Sequence, residues 1–181
     1  MLKKILIGLG VVVALLVIAF FYLNYQNRKL SPAGKVSMET EDLTIEINYS
    51  RPSVRDRLIF GHEEEDALLP YGKYWRLGAN EPTDITIEQD FLFDGKAMKA
   101  GKYVLYAIPR NGEMELRLNA DLRFWGYSEP DYQKDLLTAV VKMESVSKVE
   151  EFTIKLEPVK GGANVVFLWD RYQWQVQVLK E

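Results

Sequence analysis

The chain of 181 residues contains no cysteine. That removes disulfides, thiolate metal sites, a cysteine nucleophile and lipid attachment through a lipobox cysteine. It contains a single histidine, His62, which leaves little room for imidazole-based metal binding or acid–base chemistry. It has no Gly-x-x-x-x-Gly-Lys phosphate loop, no dinucleotide fingerprint and no Gly-x-Ser-x-Gly nucleophile elbow. Internal repeats and low-complexity tracts are also missing. Positive charge is scarce beyond the N-terminus. Lys3, Lys4, Arg28 and Lys29 are four of the 23 basic residues, so residues 30–181 hold 19 basic against 26 acidic groups, net -7. Such a segment repels phosphate backbones and shows no basic stripe, so nucleic acid is excluded as a partner.

What is present begins with a long hydrophobic run. Residues 5–23, ILIGLGVVVALLVIAFFYL, carry no charge. At about 1.5 Å per residue they reach roughly 28 Å, close to the ~30 Å hydrocarbon core of a bilayer. Tyr22 and Tyr25 fall at the outgoing interface, where amphipathic rings prefer to lie. A cleaved signal peptide has a shorter apolar core and a small-x-small site. This run ends Phe20-Phe21-Tyr22-Leu23, which favours an uncleaved anchor. The expected organisation is a cytoplasmic head at 1–4, a transmembrane signal anchor at 5–23, a tether at 24–35 and an extracytoplasmic domain at 36–181. The short head, with Lys3 and Lys4, and the large acidic remainder suit a single-pass protein of the inner membrane. Its C-terminal domain then lies on the periplasmic or extracellular side.

After the anchor the pattern has period two. Leu43, Ile45, Ile47 and Tyr49 alternate with Thr44, Glu46 and Asn48, and Ile85 and Ile87 repeat the motif. Asp94-Gly95 after Phe91-Leu92-Phe93 predicts a type I′ hairpin, because both residue types tolerate positive φ. Residues 102–108, 114–118, 140–143, 152–156, 165–169 and 172–178 read as further strands. Lys160-Gly161-Gly162 reads as a turn. One short helix is expected from Ser128 as N-cap through residues 132–137. The fold class is therefore all-β, an antiparallel β-sandwich or barrel-like domain of roughly nine or ten strands with one short helix, preceded by a single transmembrane helix.

Several blocks resemble the bacterial DUF2911 family of unknown function, common in Bacteroidetes-type genomes. They are Ser31-Pro32 with Lys35-Val36-Ser37, Tyr49-Ser50-Arg51-Pro52-Ser53-Val54, residues 57–61, Pro70-Tyr71-Gly72-Lys73 with Trp75-Arg76, and Gly78-Ala79-Asn80-Glu81. Gly95-Lys96, residues 99–103, Ile108-Pro109 and Trp125-Gly126 continue the likeness. The resemblance covers 31 to about 179. It implies an exported β-rich protein and names no activity. The acidic run 63–66 and the anchor-like N-terminus depart from the usual pattern of that family.

The stretch 68–81 mixes aromatic, cationic, amide and acidic groups and does not alternate cleanly. Tyr71, Tyr74, Arg76, Asn80 and Glu81, with Tyr49 and Arg51 from the preceding strand end, form the candidate ligand-binding set. Aromatic faces stack, and an arginine binds a carboxylate bidentately, which suits a small polar ligand, a glycan or a peptide. The opposing reading is structural: Trp75 fills the core, Arg76 pairs with Glu81, and Gly72 and Gly78 serve turns with positive φ. His62, Glu63, Glu64, Glu65 and Asp66 form an oxygen-rich loop with the elements of a calcium site but without EF-hand spacing. Consecutive acids of this kind read first as a solvated loop, so no metal and no cofactor is expected. Trp169, Tyr172 and Trp174 fit either an aromatic platform or strand packing, and packing is favoured. The leading function is a membrane-anchored envelope binding module that performs no chemistry. An envelope hydrolase is one alternative, with carboxylates near Glu81 such as Asp84, or with His62 and Ser50 or Ser53. A structural partner in an envelope protein complex is another.

Overall fold

In the computed structural model, the structure describes residues 2–122, 126 and 128–181. Trp125 of the motif Trp125-Gly126 lies outside the described residues. Helix α1 runs Leu2–Leu30 without a break. It is long and apolar enough to cross a membrane, and its apolar window is not buried against the rest of the chain. A helix apolar all round, in a chain whose other elements cover one another, is the form taken by a signal sequence or a membrane anchor. Residues 24–35, expected as a tether, carry helix up to Leu30 and strand from Ala33, so only Ser31 and Pro32 separate the two.

The remainder is antiparallel β, with one small parallel exception. β1 (Ala33–Glu39), β2 (Thr44–Ser50), β5 (Asp84–Ile87), β8 (Gly101–Arg110), β9 (Glu113–Asn119) and β10 (Asp135–Lys142) form one sheet in that spatial order. β11 (Glu144–Val159), β12 (Gly162–Lys180), β6 (Phe91–Phe93) and β7 (Lys96–Met98) form the second. The two-residue strands β3 (Phe60–Gly61) and β4 (Leu69–Pro70) pair in parallel. The sheets do not close into a barrel. Among the described residues there are twelve strands, more than the nine or ten expected, because β3, β4 and β7 are too short to show a period.

Alternation places the core. Ile45 and Ile47 of β2, Ile85 and Ile87 of β5, Leu105 and Ala107 of β8, and Leu116 and Leu118 of β9 face inward. Phe152 and Ile154 of β11 and Phe167, Trp169, Trp174, Val176 and Val178 of β12 meet them. The Asp94-Gly95 turn has φ of 51° and 75°, and Phe93 pairs with Lys96, so the expected two-residue hairpin forms. The expected short helix does not. Asp131, not Ser128, caps a single 3₁₀ turn (Tyr132–Lys134), and β10 begins at Asp135. Pairing with β9 claims Leu137, whose side chain is buried there, and a helix continuing through it would forfeit that ladder.

β12 is the unusual element. Asp170, with φ of 51°, bends it so far that its two ends meet. The Lys180 amide donates to the Gly161 carbonyl at 2.8 Å. A Cβ at Gly162 would lie 2.1 Å from the Val178 carbonyl oxygen, so only glycine fits at this crossing.

Candidate functional site

The stretch 68–81 lies beside β8. The Trp75 amide donates to the Ala107 carbonyl at 2.8 Å, and the Ala107 amide returns the bond at 2.9 Å. This pairing turns the Trp75 ring inward and puts Tyr74 and Arg76 on the opposite face. Trp75 is 3% exposed. Its ring stacks on Trp169 at 5.4 Å and meets Phe152 at 5.1 Å, Phe60 at 5.8 Å and Trp174 at 6.0 Å. Trp169 and Trp174 are therefore core, and they present no platform to solvent.

Residues 77–80 form a pinned turn. Leu77 has φ of 53° although it is fully buried, and Asn80 has φ of 57°. A bulky side chain in this region costs about 1–3 kcal/mol, and such strain is stored where surrounding contacts hold it. Those contacts are specific. The Trp75 indole donates to the Gly78 carbonyl at 3.1 Å, and the Thr83 hydroxyl donates to the Leu77 carbonyl at 2.6 Å. Arg76 donates to the Asn80 carbonyl at 3.3 Å, and the Asn80 amide donates to the Ser31 carbonyl at 3.2 Å. Gly78, with φ of 154°, packs so close that a Cβ would stand 3.0 Å from the Ser50 carbonyl oxygen.

Between this turn, residues 52–57 and the end of α1 lies a cavity of about 450 Å³. Arg55, Arg57 and Arg76 contribute to its wall, with Tyr74, Asn80 and Ser53. No carboxylate lines it among the described residues. The Arg55 and Arg57 guanidinium groups donate to main-chain carbonyls: Arg55 to Leu30 at 2.9 Å, and Arg57 to Val54 at 3.0 Å and to Ser53 at 2.6 Å. Carbonyls orient a guanidinium without neutralising it. Trp169 also lines the cavity, and its indole N–H is buried with no acceptor among the described residues. A buried donor left unmatched costs about 1–3 kcal/mol.

The expected ligand set divides. Tyr74, Arg76 and Asn80 meet at this cavity. Tyr49 and Glu81 lie on a second one, of about 370 Å³, with Arg28, Asn48 and Asp84. Tyr49 is nearly buried, and its hydroxyl accepts from the Ile154 amide at 3.2 Å. Glu81 pairs with Arg28 of α1. Asp84 takes Lys102 and Asn48, both at 3.1 Å. Arg51 reaches Glu151 at 3.9 Å. Tyr71 packs edge-on against His62 at 5.3 Å, and burial, helped by Tyr172 and Glu65, pushes its phenol up. The acidic loop forms an exposed 3₁₀ turn (Glu63–Glu65) in which Glu63 pairs with Lys73 at 3.4 Å and Glu65 accepts from the His62 amide at 2.7 Å. Among the described residues no three His, Asp or Glu side chains gather as metal ligands would.

Two features escaped the sequence reading. Arg55 and Arg57 are the first, although three arginines in the seven residues 51–57 were a visible signal. The second is an ionic network on the outer face of the six-stranded sheet. Arg117 donates to Asp135 at 2.7 Å and to Glu115 at 2.7 Å, and Arg110 donates to Glu115 at 2.9 Å. The Tyr106 hydroxyl donates to Asp135 at 2.7 Å, and the Asn119 amide donates to the same carboxylate at 2.7 Å. Burial pushes the Tyr106 phenol far above its ordinary value, and the bond to Asp135 adds to the effect. Glu115 and Arg117, two apart on β9, point to one face, which is the only local sign of this cluster.

Fold and site together define a two-sheet antiparallel β domain, carried on a long apolar helix, with an arginine-walled recess where the two join. A family model described as "Protein of unknown function (DUF2911)" matches residues 31–178, and the chain belongs to that family. Compared with curated proteins and with solved structures, the chain has no match.

Proposed function

We propose that the chain is a membrane-anchored envelope binding module whose recess takes a small polar ligand through an anionic group, a carboxylate or a phosphate. The observation that carries this reading is that Arg55, Arg57 and Arg76 all contribute to the recess wall while no carboxylate does among the described residues; Glu150, outside that wall, accepts from the Arg55 main-chain amide at 2.8 Å. A guanidinium fork matches a pair of oxygens on either anion, and a cavity of about 450 Å³ falls within the range of small-molecule sites. Glu81 and Asp84 each already engage a cation, so the hydrolase reading gains no support from them. The helix α1 holds the domain at the membrane, and we assign the domain to the outer side. A phosphatase reporter fused after Glu181 is expected to be active, and a reporter active only in the cytoplasm would reverse this orientation.

Full-length chain in neutral-detergent micelles, titrated with succinate and inorganic phosphate, is expected to unfold at higher temperature as either anion rises. The combined substitution Arg55→Gln, Arg57→Gln and Arg76→Gln should weaken binding by about tenfold or more. A charged hydrogen bond is worth about 1.5–3 kcal/mol, and 1.4 kcal/mol is tenfold. Equal stabilisation of native and substituted protein would reject the recess as the site.

A further inference from the structure

The recess has a fixed height above the membrane. The apolar run ends at Leu23, and α1 continues as one helix to Leu30. At about 1.5 Å per residue, Asn27 stands roughly 6 Å and Leu30 roughly 10 Å beyond that end. The difference between a bilayer's hydrocarbon core and its full thickness leaves about 5–8 Å of headgroup layer on each side. Asn27 and Leu30 are themselves part of the recess wall. The recess wall therefore begins within the headgroup layer, at Asn27, and rises just past it, at Leu30.

That height is locked. Arg55 donates to the Leu30 carbonyl, Asn80 donates to the Ser31 carbonyl, and Arg28 pairs with Glu81. The domain thus holds the helix end by two polar links, at Arg28 and Leu30, and the connection by a third, at Ser31. Apolar side chains are exposed around the opening. Leu30 is 44% exposed, Leu58 47% and Leu68 39%, and Leu30 and Leu68 line the recess. The Leu68 amide bonds the Leu58 carbonyl at 2.9 Å, so those two leucines are neighbours. Exposed leucines beside arginines at an interface satisfy acyl chains and phosphates together. Residues 30–181 carry net charge -7. Against that acidic background Arg55, Arg57 and Arg76 gather positive charge at the recess, with the exposed Asp56 between the first two, and a local cationic cluster is what draws an anionic headgroup.

We propose that the recess binds the headgroup phosphodiester of an anionic phospholipid drawn from the leaflet on the domain's side. Arg55, Arg57 and Arg76 hold the phosphate oxygens, and Leu30, Leu58 and Leu68 meet the first methylenes of the chains. This inference rests on the anion-binding reading above, and it adds the source of the anion.

The test uses the full-length chain in neutral-detergent micelles, titrated separately with phosphatidylglycerol, phosphatidylcholine and sn-glycerol 3-phosphate. Indole emission is the readout, because Trp75 and Trp169 line the recess. Phosphatidylglycerol is expected to saturate a single site about tenfold or more tighter than phosphatidylcholine, and the triple Arg→Gln protein should lose that preference. Ala79→Glu sets a carboxylate at the wall without removing any existing polar contact, and it should lose the preference while unfolding at the native temperature. Equal binding of the two lipids, or a preference that survives both variants, overturns the proposal. Saturation by glycerol phosphate or inorganic phosphate without any phosphatidylglycerol preference overturns the lipid source and leaves the anion site standing. Silence from all probes removes both.

Discussion

Trp75→Ala is expected to destabilise the domain by about 3–5 kcal/mol, the range for deleting a buried large aromatic. For a chain of this size that corresponds to a fall of roughly 6–20 °C in unfolding temperature, measurable by calorimetry in micelles. Two contributions combine. The first is the cavity left among Phe60, Phe152, Trp169 and Trp174, all of which touch the ring. These neighbours sit on three separate segments, so relaxation into the void is limited. The second is the loss of the indole hydrogen bond to Gly78, which fixes the strained turn at 77–80. Trp75→Phe separates them. It keeps most of the packing and removes the bond, for a smaller loss of about 1–3 kcal/mol. Because Asn80 and Arg76 hang on this turn, the Phe variant should also bind succinate or phosphate more weakly. An alanine protein that unfolds within about 2 °C of native would show that the cluster is not the keystone the geometry implies.

Arg117→Gln should cost about 2–4 kcal/mol. Breaking a fully buried ion network costs about 3–5 kcal/mol, and the discount reflects that the Arg117 side chain is 24% exposed. The substitution leaves Asp135 and Glu115 without their shared cation, with Arg110 remaining on Glu115 alone. The effect should depend on pH, with a definite sign. Burial pushes the Glu115 carboxyl up, but hydrogen bonds from Arg110 and Arg117 outweigh it, and the net shift is downward. A folded value below the unfolded one, near 4.3, stabilises the fold at higher pH, and that stability is lost as pH falls through the folded value. Native and Gln proteins should therefore differ most near neutrality and converge as pH falls from the unfolded value through the lower folded one. Glu46, held down by Lys35, and Asp90, held down by Lys99, lose their stabilisation in the same window, so the Gln protein keeps part of its acid sensitivity. A gap between the two proteins that widens in acid would contradict the account.

Most of the fold was legible because the information is local. Period-two alternation at Ile45, Ile47, Ile85 and Ile87 needs no partner to be visible, and Asp94-Gly95 states its turn by residue type. The long apolar run is equally local. The 3₁₀ turn at Tyr132–Lys134 was overread as a helix because Leu136 and Leu137 suit either period, and only pairing with β9 decides between them. The site was half legible. Arg76 and Asn80 stood out in their own stretch, whereas Arg55 and Arg57 join them through a fold-level meeting of three segments. Tyr49 and Glu81 looked equivalent to the others by composition. They fall on another cavity because the 77–80 turn reverses direction at two positive-φ residues and a glycine.

The meeting of the two ends of β12 sets an order of assembly. Synthesis delivers the chain from its N-terminus, so the arm after Asp170 arrives after every other strand described above. That arm brings Trp174, Val176 and Val178 into the core and pairs with β6. Until it is present, Phe60, Trp75 and Phe152 lack one wall, and the incomplete domain exposes its richest aromatic surface to misassociation. Residues 171–180 thus act as a latch on the nascent chain. A premature stop before this arm should leave an open polypeptide, a target for proteases and chaperones, and not a weakened version of the finished domain.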